Sequence, residues 1–165
     1  RIAGTAIHTC DELHDALQLR DMAVEASILT ECSMSGLKIK ARPDMMSLSE
    51  RTMWDIKTTT DNTITGFPRE IKRWGYDLQA AHYLHVAACA GLIIDKFIFL
   101  AVDKETGICV AYELSELYLK HAEKRMERVL NKLVQAEGAG EFNTGWERVN
   151  TIHLPSWMED ELDAF

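Results

Sequence analysis

The sequence predicts an α/β (α+β) fold with its elements in the order α-βββ-α-ββ-α. Three observations lead there. Segments with apolar residues every three or four positions mark amphipathic helices. Between them lie short runs that alternate with period two and are bounded by turn residues, as half-buried strands do. And 165 residues with a 47% apolar share suffice for one domain with a real core, so residues 1–165 are expected to form a single unit.

The elements follow in order. Ile2, Ala6, Cys10, Leu13 and Leu17 space a first helix from Ile2 to Leu19. Ala23 to Cys32 reads as a strand, and Ser33 to Gly36 as its hairpin turn. Lys38 to about Thr58 supplies two central strands joined by a short polar turn. Residues 59–67, TTDNTITGF, are turn-rich and predict a mobile loop at the mouth of a site. Pro68 suits the first turn of a helix that runs to about Ala90 and stops at Gly91. A second hairpin follows: Asp95 to Val102, the turn KETG, then Ile108 to Leu114. Ser115 caps a long helix to about Gln135, with Ala122, Met126, Val129 and Leu133 on its buried face. Gly138 and Gly140 end it. The acidic tail SWMEDELDAF (156–165) either docks on its own domain, docks on a neighbour, or frays.

The stretch KIKARPDMMSLSERTMWDIK (38–57) carries the chemistry. Side chains on a strand alternate between faces. Leu37, Ile39 and Ala41 therefore point one way, and Lys38, Lys40, Arg42 and Asp44 the other. Trp54 and Ile56 share one face of the next strand; Met53, Asp55 and Lys57 share the opposite one. Two carboxylates and an amine are thus expected on one side of a sheet. Such carboxylates raise one another's pKa unless a cation lies between them, and their oxygens suit Mg²⁺ or Mn²⁺. A metal there can polarise a phosphoryl oxygen and acidify a bound water, while Lys57 positions the attacking water.

The spacing P-D-x(10)-D-x-K resembles the signature of the PD-(D/E)xK nuclease superfamily. A bare D-x-K would carry little weight. The combination G-x-K-x-K-x-R-P-D, W-D-I-K-T-T and Y-D-L-Q-A-A-x-Y is more specific. It is similar to the RecE-type (exonuclease VIII) phage and prophage exonucleases of the RecB-like branch, and the element order fits the core this resemblance implies, a mixed central sheet flanked by helices. The resemblance implies a Mg²⁺- or Mn²⁺-dependent exodeoxyribonuclease that digests linear duplex DNA from 5′ ends and leaves 3′ single strands for an annealing protein. It also implies a ring-shaped homo-oligomer, a trimer or tetramer. By the same resemblance His8, in G-T-A-I-H, is a metal ligand, and the Ile56 carbonyl faces the metal beside Asp44 and Asp55. It further makes Glu25, rather than Glu31, the acid that helps hold the ions, and Gln79 a residue contacting the metal water or DNA.

Tyr76, Gln79 and Tyr83, at i, i+3 and i+7, form one helical stripe that Lys72 and Arg69 extend. Each tyrosine is either core wall or DNA contact. Trp54 and Trp74 read as packing, although Trp74, beside Arg73, could stack on a base. His82, His85 and Cys89 offer zinc ligands along one helix, but no fourth partner stands at readable spacing, so zinc is not expected.

The net charge of −8 is unfavourable for a DNA binder. The cations nevertheless group at Lys38, Lys40, Arg42, Arg69, Lys72 and Arg73, and local field outweighs the total; Arg42, Arg69 and Arg73 are candidates to grip a 5′-phosphate. A ring with a basic inner wall would reconcile an acidic chain with DNA. Four scattered cysteines, none in C-x-x-C, exclude a zinc ribbon or iron–sulfur cluster and suit a reduced, cytoplasmic protein. No apolar run approaches the ~20 residues of a membrane span, and no signal peptide is expected. The opening Arg1 suggests a fragment or processed product. Three rivals remain at this stage: an endonuclease of the same superfamily, an idle DNA-binding domain, and an interaction module using the tail.

Overall fold

The computed structural model describes residues 2–142, 151 and 153. The elements are α1 (Ile2–Thr9), α2 (Asp11–Ala16), β1 (Ala23–Val24), β2 (Ile28–Glu31), β3 (Lys38–Ala41), β4 (Met45–Ser47), β5 (Thr52–Thr59), α3 (Phe67–Trp74), α4 (Tyr76–Cys89), β6 (Lys96–Asp103), β7 (Cys109–Glu113) and α5 (Glu116–Ala139). The chain divides into two compact units, residues 1–134 and 135–165. In the second, the Glu141 amide closes onto the Ala136 carbonyl at 3.0 Å. The acidic tail 156–165 lies outside the described residues.

The predicted mixed sheet is present, with strand order β1-β4-β5-β6-β7. The β5–β6 pair is parallel, from Thr52↔Lys96 to Thr59↔Asp103, and the other three pairs are antiparallel. Parallel neighbours need a crossover, which α3 and α4 provide. β6 is buried along nearly its whole length, which is why KFIFLAV reads as a continuous apolar run instead of an alternating one. One face of the sheet joins Met53, Phe97 and Phe99 to Ile71, Ala80 and Val86 of the crossover. The other joins Trp54, Ile98 and Leu100 to Ala6, Leu13 and Ala16 of the first two helices.

Several expected elements are divided. The first helix breaks at Cys10, which is extended (φ −135°, ψ 102°). Thr9 spends its hydroxyl on the Thr5 carbonyl (2.9 Å) and on the Cys109 amide (3.1 Å), which anchors the break to β7. The strand expected over 23–32 splits because Glu25 is left-handed, φ 48°. The helix expected from Pro68 to Ala90 splits at Gly75 (φ 70°, ψ 30°), a conformation only glycine adopts without strain.

The two central strands also need correction. The first, β3, does not join the main sheet; it pairs with β2 in a separate two-stranded sheet, Ile28↔Ala41 to Glu31↔Lys38. Pro43 has no amide to donate, and the chain re-enters the main sheet only at β4. On α5, Ser115 Oγ accepts the Tyr118 amide as a cap (3.3 Å). Ala122 and Met126 are buried, but Val129 and Leu133 are 52% and 44% exposed, so the buried face is shorter than the periodicity implies.

The loop after β5 is pinned by side chains. Asp61 Oδ1 accepts from the Thr63 amide (3.1 Å) and hydroxyl (2.6 Å), and Tyr112 donates its hydroxyl to the Asn62 carbonyl (2.6 Å). Buried Gly66 lies so close that an added Cβ would meet the Asp61 carboxylate at 2.0 Å. Gly66→Ala is therefore expected to lower the melting temperature by about 2–8 °C, the range for overpacking a site that cannot yield. A thermal melt checks it, and an unchanged melting temperature would show that Asp61 moves aside freely.

Candidate active site

The site is built on the middle strand of the sheet. Asp55 and Lys57, two apart on β5, project toward α4, and Gln79 of α4 bridges them. Lys57 Nζ donates to Gln79 Oε1 (2.8 Å), and Gln79 Nε2 donates to Asp55 Oδ1 (2.9 Å). The ammonium also pairs with Asp55 Oδ2 and sits 4.5 Å from the centre of the Tyr76 ring. Asp44 reaches the same strand from the bend before β4. Its Oδ2 accepts the Ile56 amide at 2.6 Å.

Asp55 is 3% exposed. Burial raises its pKa above the ordinary carboxylate value, the Lys57 bond and charge oppose that, the Asp44 charge adds to it, and Gln79 lowers it again. The net shift is upward. Asp55 Oδ2 is met by the Lys57 ammonium. A buried acid that desolvation and a second acid both push toward the neutral form would be held as the anion by a divalent cation. The all-oxygen donors of Asp44 and Asp55, with the Ile56 main chain between them, fit a hard cation of the Mg²⁺ or Mn²⁺ kind. The residues present therefore suit the ion.

The structure brings Asp44, Asp55, Lys57, Gln79, Ile56 and Tyr76 together. Glu25 is attached through its main chain: its amide donates to the Asp44 carbonyl (2.9 Å), while its exposed carboxylate pairs loosely with Arg42 at 3.8 Å. It stands on a left-handed residue and not within the continuous strand expected over 23–32. His8 is exposed on α1. That helix lies over the opposite face of β5, where Ala6 and Ile7 share an apolar cavity of about 320 Å³ with Ile56 and Thr58. The hydrogen bonds linking Asp55, Lys57 and Gln79 do not include His8.

Lys38 and Lys40 are exposed on β3, and Arg69, Lys72 and Arg73 on α3. The continuous stripe expected from Arg69 through Tyr83 is interrupted at Gly75, so the α3 cations belong to a separate helix. Tyr76 is wall, packed on Phe67 and Phe99. Tyr83, half-buried like Tyr76, packs on Phe97. Trp54 is buried and donates Nε1–H to Glu12 (2.8 Å). Trp74, in contrast to the packing role expected, is 59% exposed with the Arg73 guanidinium 4.8 Å from its ring centre.

One polar pair went unread. Asp77, within the motif Y-D-L-Q, is 1% exposed and pairs with Arg125 of α5. An acid in the first turn of a helix is favoured by the helix dipole in any case, so nothing in the sequence marked it for burial.

A family model described as a PDDEXK-like domain of unknown function (DUF3799) matches residues 1–154. A protein of Eubacterium rectale described as a "putative exonuclease" aligns with a TM-score of 0.62 and 18% identity, covering 96% of this chain and 64% of its own. This chain thus spans less than two thirds of that protein's length. A phage-related exonuclease of Haemophilus somnus 129PT aligns at a TM-score of 0.45 and 13% identity, over 86% of this chain and 74% of its own. At 18% identity the likeness to the first concerns the fold alone. No curated protein matches the sequence. No helix among the described residues is long and apolar enough to cross a membrane.

Proposed function

The chain belongs to the PDDEXK-like family DUF3799, and from that premise we propose that it is a divalent-metal-dependent nuclease hydrolysing phosphodiester bonds. One observation carries the reading. Asp55, Lys57 and Gln79 form a closed hydrogen-bonded set beside Asp44, on the most deeply paired strand of the sheet. Burying an acid and an amine together without catalytic use would cost more than replacing both with apolar residues.

Asp44 and Asp55 are the residues that would hold the ion, with the Ile56 carbonyl as a further donor; Glu25 and His8, which the resemblance adds, would have to turn toward it from their exposed positions. When bound, Mg²⁺ or Mn²⁺ would supply charge neutralisation at the phosphate and a more acidic water. Lys57 orients the nucleophile, and its ammonium offsets the negative charge that builds on phosphorus. Gln79 fixes Lys57 in place through Oε1. The balance is that of hydrolysis: a hydroxide oxygen adds to phosphorus, the bridging P–O bond breaks, and the departing oxygen takes up a proton.

The finer reading is an exonuclease of the RecE type. It would act on linear double-stranded DNA ends, 5′ to 3′, within a homo-oligomeric ring of three or four copies in a reducing cytoplasm. The 3′ strands it leaves would pass to a single-strand annealing protein. Exposed Lys38, Lys40, Arg42, Arg69, Lys72 and Arg73 supply the backbone contacts, and Trp74 with Arg73 offers a stacking surface for an unpaired base.

The test is digestion of a duplex labelled at each end in turn, beside a closed circle, with Mg²⁺ and with EDTA. Release of 5′ label first, an intact circle and silence in EDTA are expected. A nicked circle would make it an endonuclease, and DNA bound but uncut with either metal would sink the enzymatic reading.

A further inference from the structure

The β2–β3 hairpin stands apart from the main sheet and leans on α4. Thr30 Oγ1 donates to the Cys89 carbonyl (3.4 Å), and the His82 ring donates to the Lys40 carbonyl (3.1 Å). Between these two contacts three metal-binding side chains converge. Cys32 Sγ, where the hairpin enters its turn, lies 3.3 Å from His85 Nε2. Cys89 Sγ, one helical turn beyond His85, lies 3.6 Å from the same nitrogen. All three ligand atoms fall within 4.8 Å of one another, and this is the one group of three such ligands among the described residues.

The distances match a particular kind of ion. Zinc binds thiolate at about 2.3 Å and imidazole nitrogen at about 2.0–2.1 Å, tetrahedrally. Such a geometry holds sulfur and nitrogen about 3.6 Å apart and the two sulfurs about 3.8 Å apart. Protein hydrogen bonds explain the convergence poorly, because one imidazole hydrogen cannot lie on the line to both sulfurs.

We propose that Cys32, His85 and Cys89 form a binding site for a thiophilic divalent cation of the zinc class, with water in the fourth position, which fastens the hairpin to α4. Two thiolates and an imidazole are soft-to-borderline ligands, distinct from the oxygen donors of Asp44 and Asp55. The site lies on the opposite end of α4 from Gln79. It stands without the nuclease reading, and none of its readouts depends on cleavage. From the helix alone His82, His85 and Cys89 were the residues in view, and zinc was not expected there. His82 is instead engaged by the Lys40 carbonyl, and Cys32, 53 residues upstream of His85, stands in its place as the third ligand.

The experiment is a titration of the full chain, reduced and stripped with EDTA, first with Co²⁺ and then with Zn²⁺. One ion per chain is expected, with a thiolate-to-cobalt charge-transfer band that zinc bleaches and a melting temperature that zinc raises. Cys32→Ser and Cys89→Ser should each abolish the band, and His85→Ala should weaken zinc by at least about tenfold. The other thiol pair is the control. Burial and the neighbouring Cys10 push the Cys109 thiol up to about 12, so Cys109→Ser should keep the band. A band that survives Cys32→Ser but not Cys109→Ser would overturn the proposal. So would a reduced chain that takes up no more zinc than the Cys32→Ser, Cys89→Ser double variant. A chain found with Cys32 and Cys89 joined as a disulfide, and binding no zinc once reduced, would likewise overturn it and make the pair a redox couple.

Discussion

Asp55→Asn should all but abolish cleavage while making the metal-free protein harder to melt. Removing a group that positions and neutralises charge at the reacting centre costs about 10²–10⁴-fold in rate, and a lost metal ligand puts this variant at the upper end. The stability effect has the opposite sign. Burial, with Asp44 adding to it, raises the Asp55 pKa in the folded chain above its ordinary 3.8. The folded state therefore binds a proton more readily than the unfolded one. Below the ordinary value the carboxyl is neutral in both states and nothing is lost. As pH rises from the ordinary value through the shifted pKa, that stability is lost. Asparagine mimics the neutral acid at every pH. In EDTA at pH 7 we expect its melting temperature to exceed the wild type's by roughly 2–6 °C, and the gap to close toward pH 4. Saturating Mg²⁺ should stabilise the wild type alone. A variant that melts below the wild type at pH 7 without metal would show that Asp55 is a satisfied ion-pair partner instead of a strained ligand.

Lys57→Ala should lose a comparable factor in rate, again about 10²–10⁴-fold, but shift stability the other way. The ammonium is the largest influence opposing the burial of Asp55, and its side chain is only 16% exposed. The Asp55→Asn variant still offers Lys57 an amide oxygen as acceptor, whereas removing the ammonium leaves a carboxylate only 3% exposed with no counter-charge, and an uncompensated buried charge typically costs about 3–5 kcal/mol of stability. Asp55→Asn and Lys57→Ala should therefore be equally inactive and shifted to opposite sides of the wild type in a melt. If either variant cut linear duplex at the wild-type rate with Mg²⁺, the assignment of the site would be wrong.

What the sequence could carry depended on whether each relation was periodic. Asp55 and Lys57 share a face because strands alternate, and Tyr76 and Gln79 share one because helices repeat. Both relations were legible, and the strand that holds the first pair is where the pattern put it. Relations that cross a break were not. Asp44 was expected on a strand continuous with Lys38, yet Pro43 ends that strand and hands the acid to a different sheet. The stripe from Arg69 to Tyr83 looked continuous until Gly75 turned the chain. Glu25 reads as strand, and only its left-handed backbone takes it off. Cys32 could not be connected to His85 and Cys89 at all, since a hairpin folding onto a helix leaves no spacing rule behind. Val129 and Leu133 keep the period of a buried face with nothing described packed over them, which periodicity cannot reveal.

The hydrogen bond from Ile56 to Asp44 has a consequence for how this site tolerates change. The β4–β5 ladder stops at Met45↔Trp54, and the next outward-pointing amide of β5 is capped by a carboxylate oxygen where a strand carbonyl would otherwise stand. The main chain thus chooses the rotamer of the acid and leaves its other oxygen free. Aim is inherited from register: inserting or deleting one residue anywhere between Pro43 and Thr52 would swing that oxygen away as surely as mutating the aspartate, with every side chain of the site still in place.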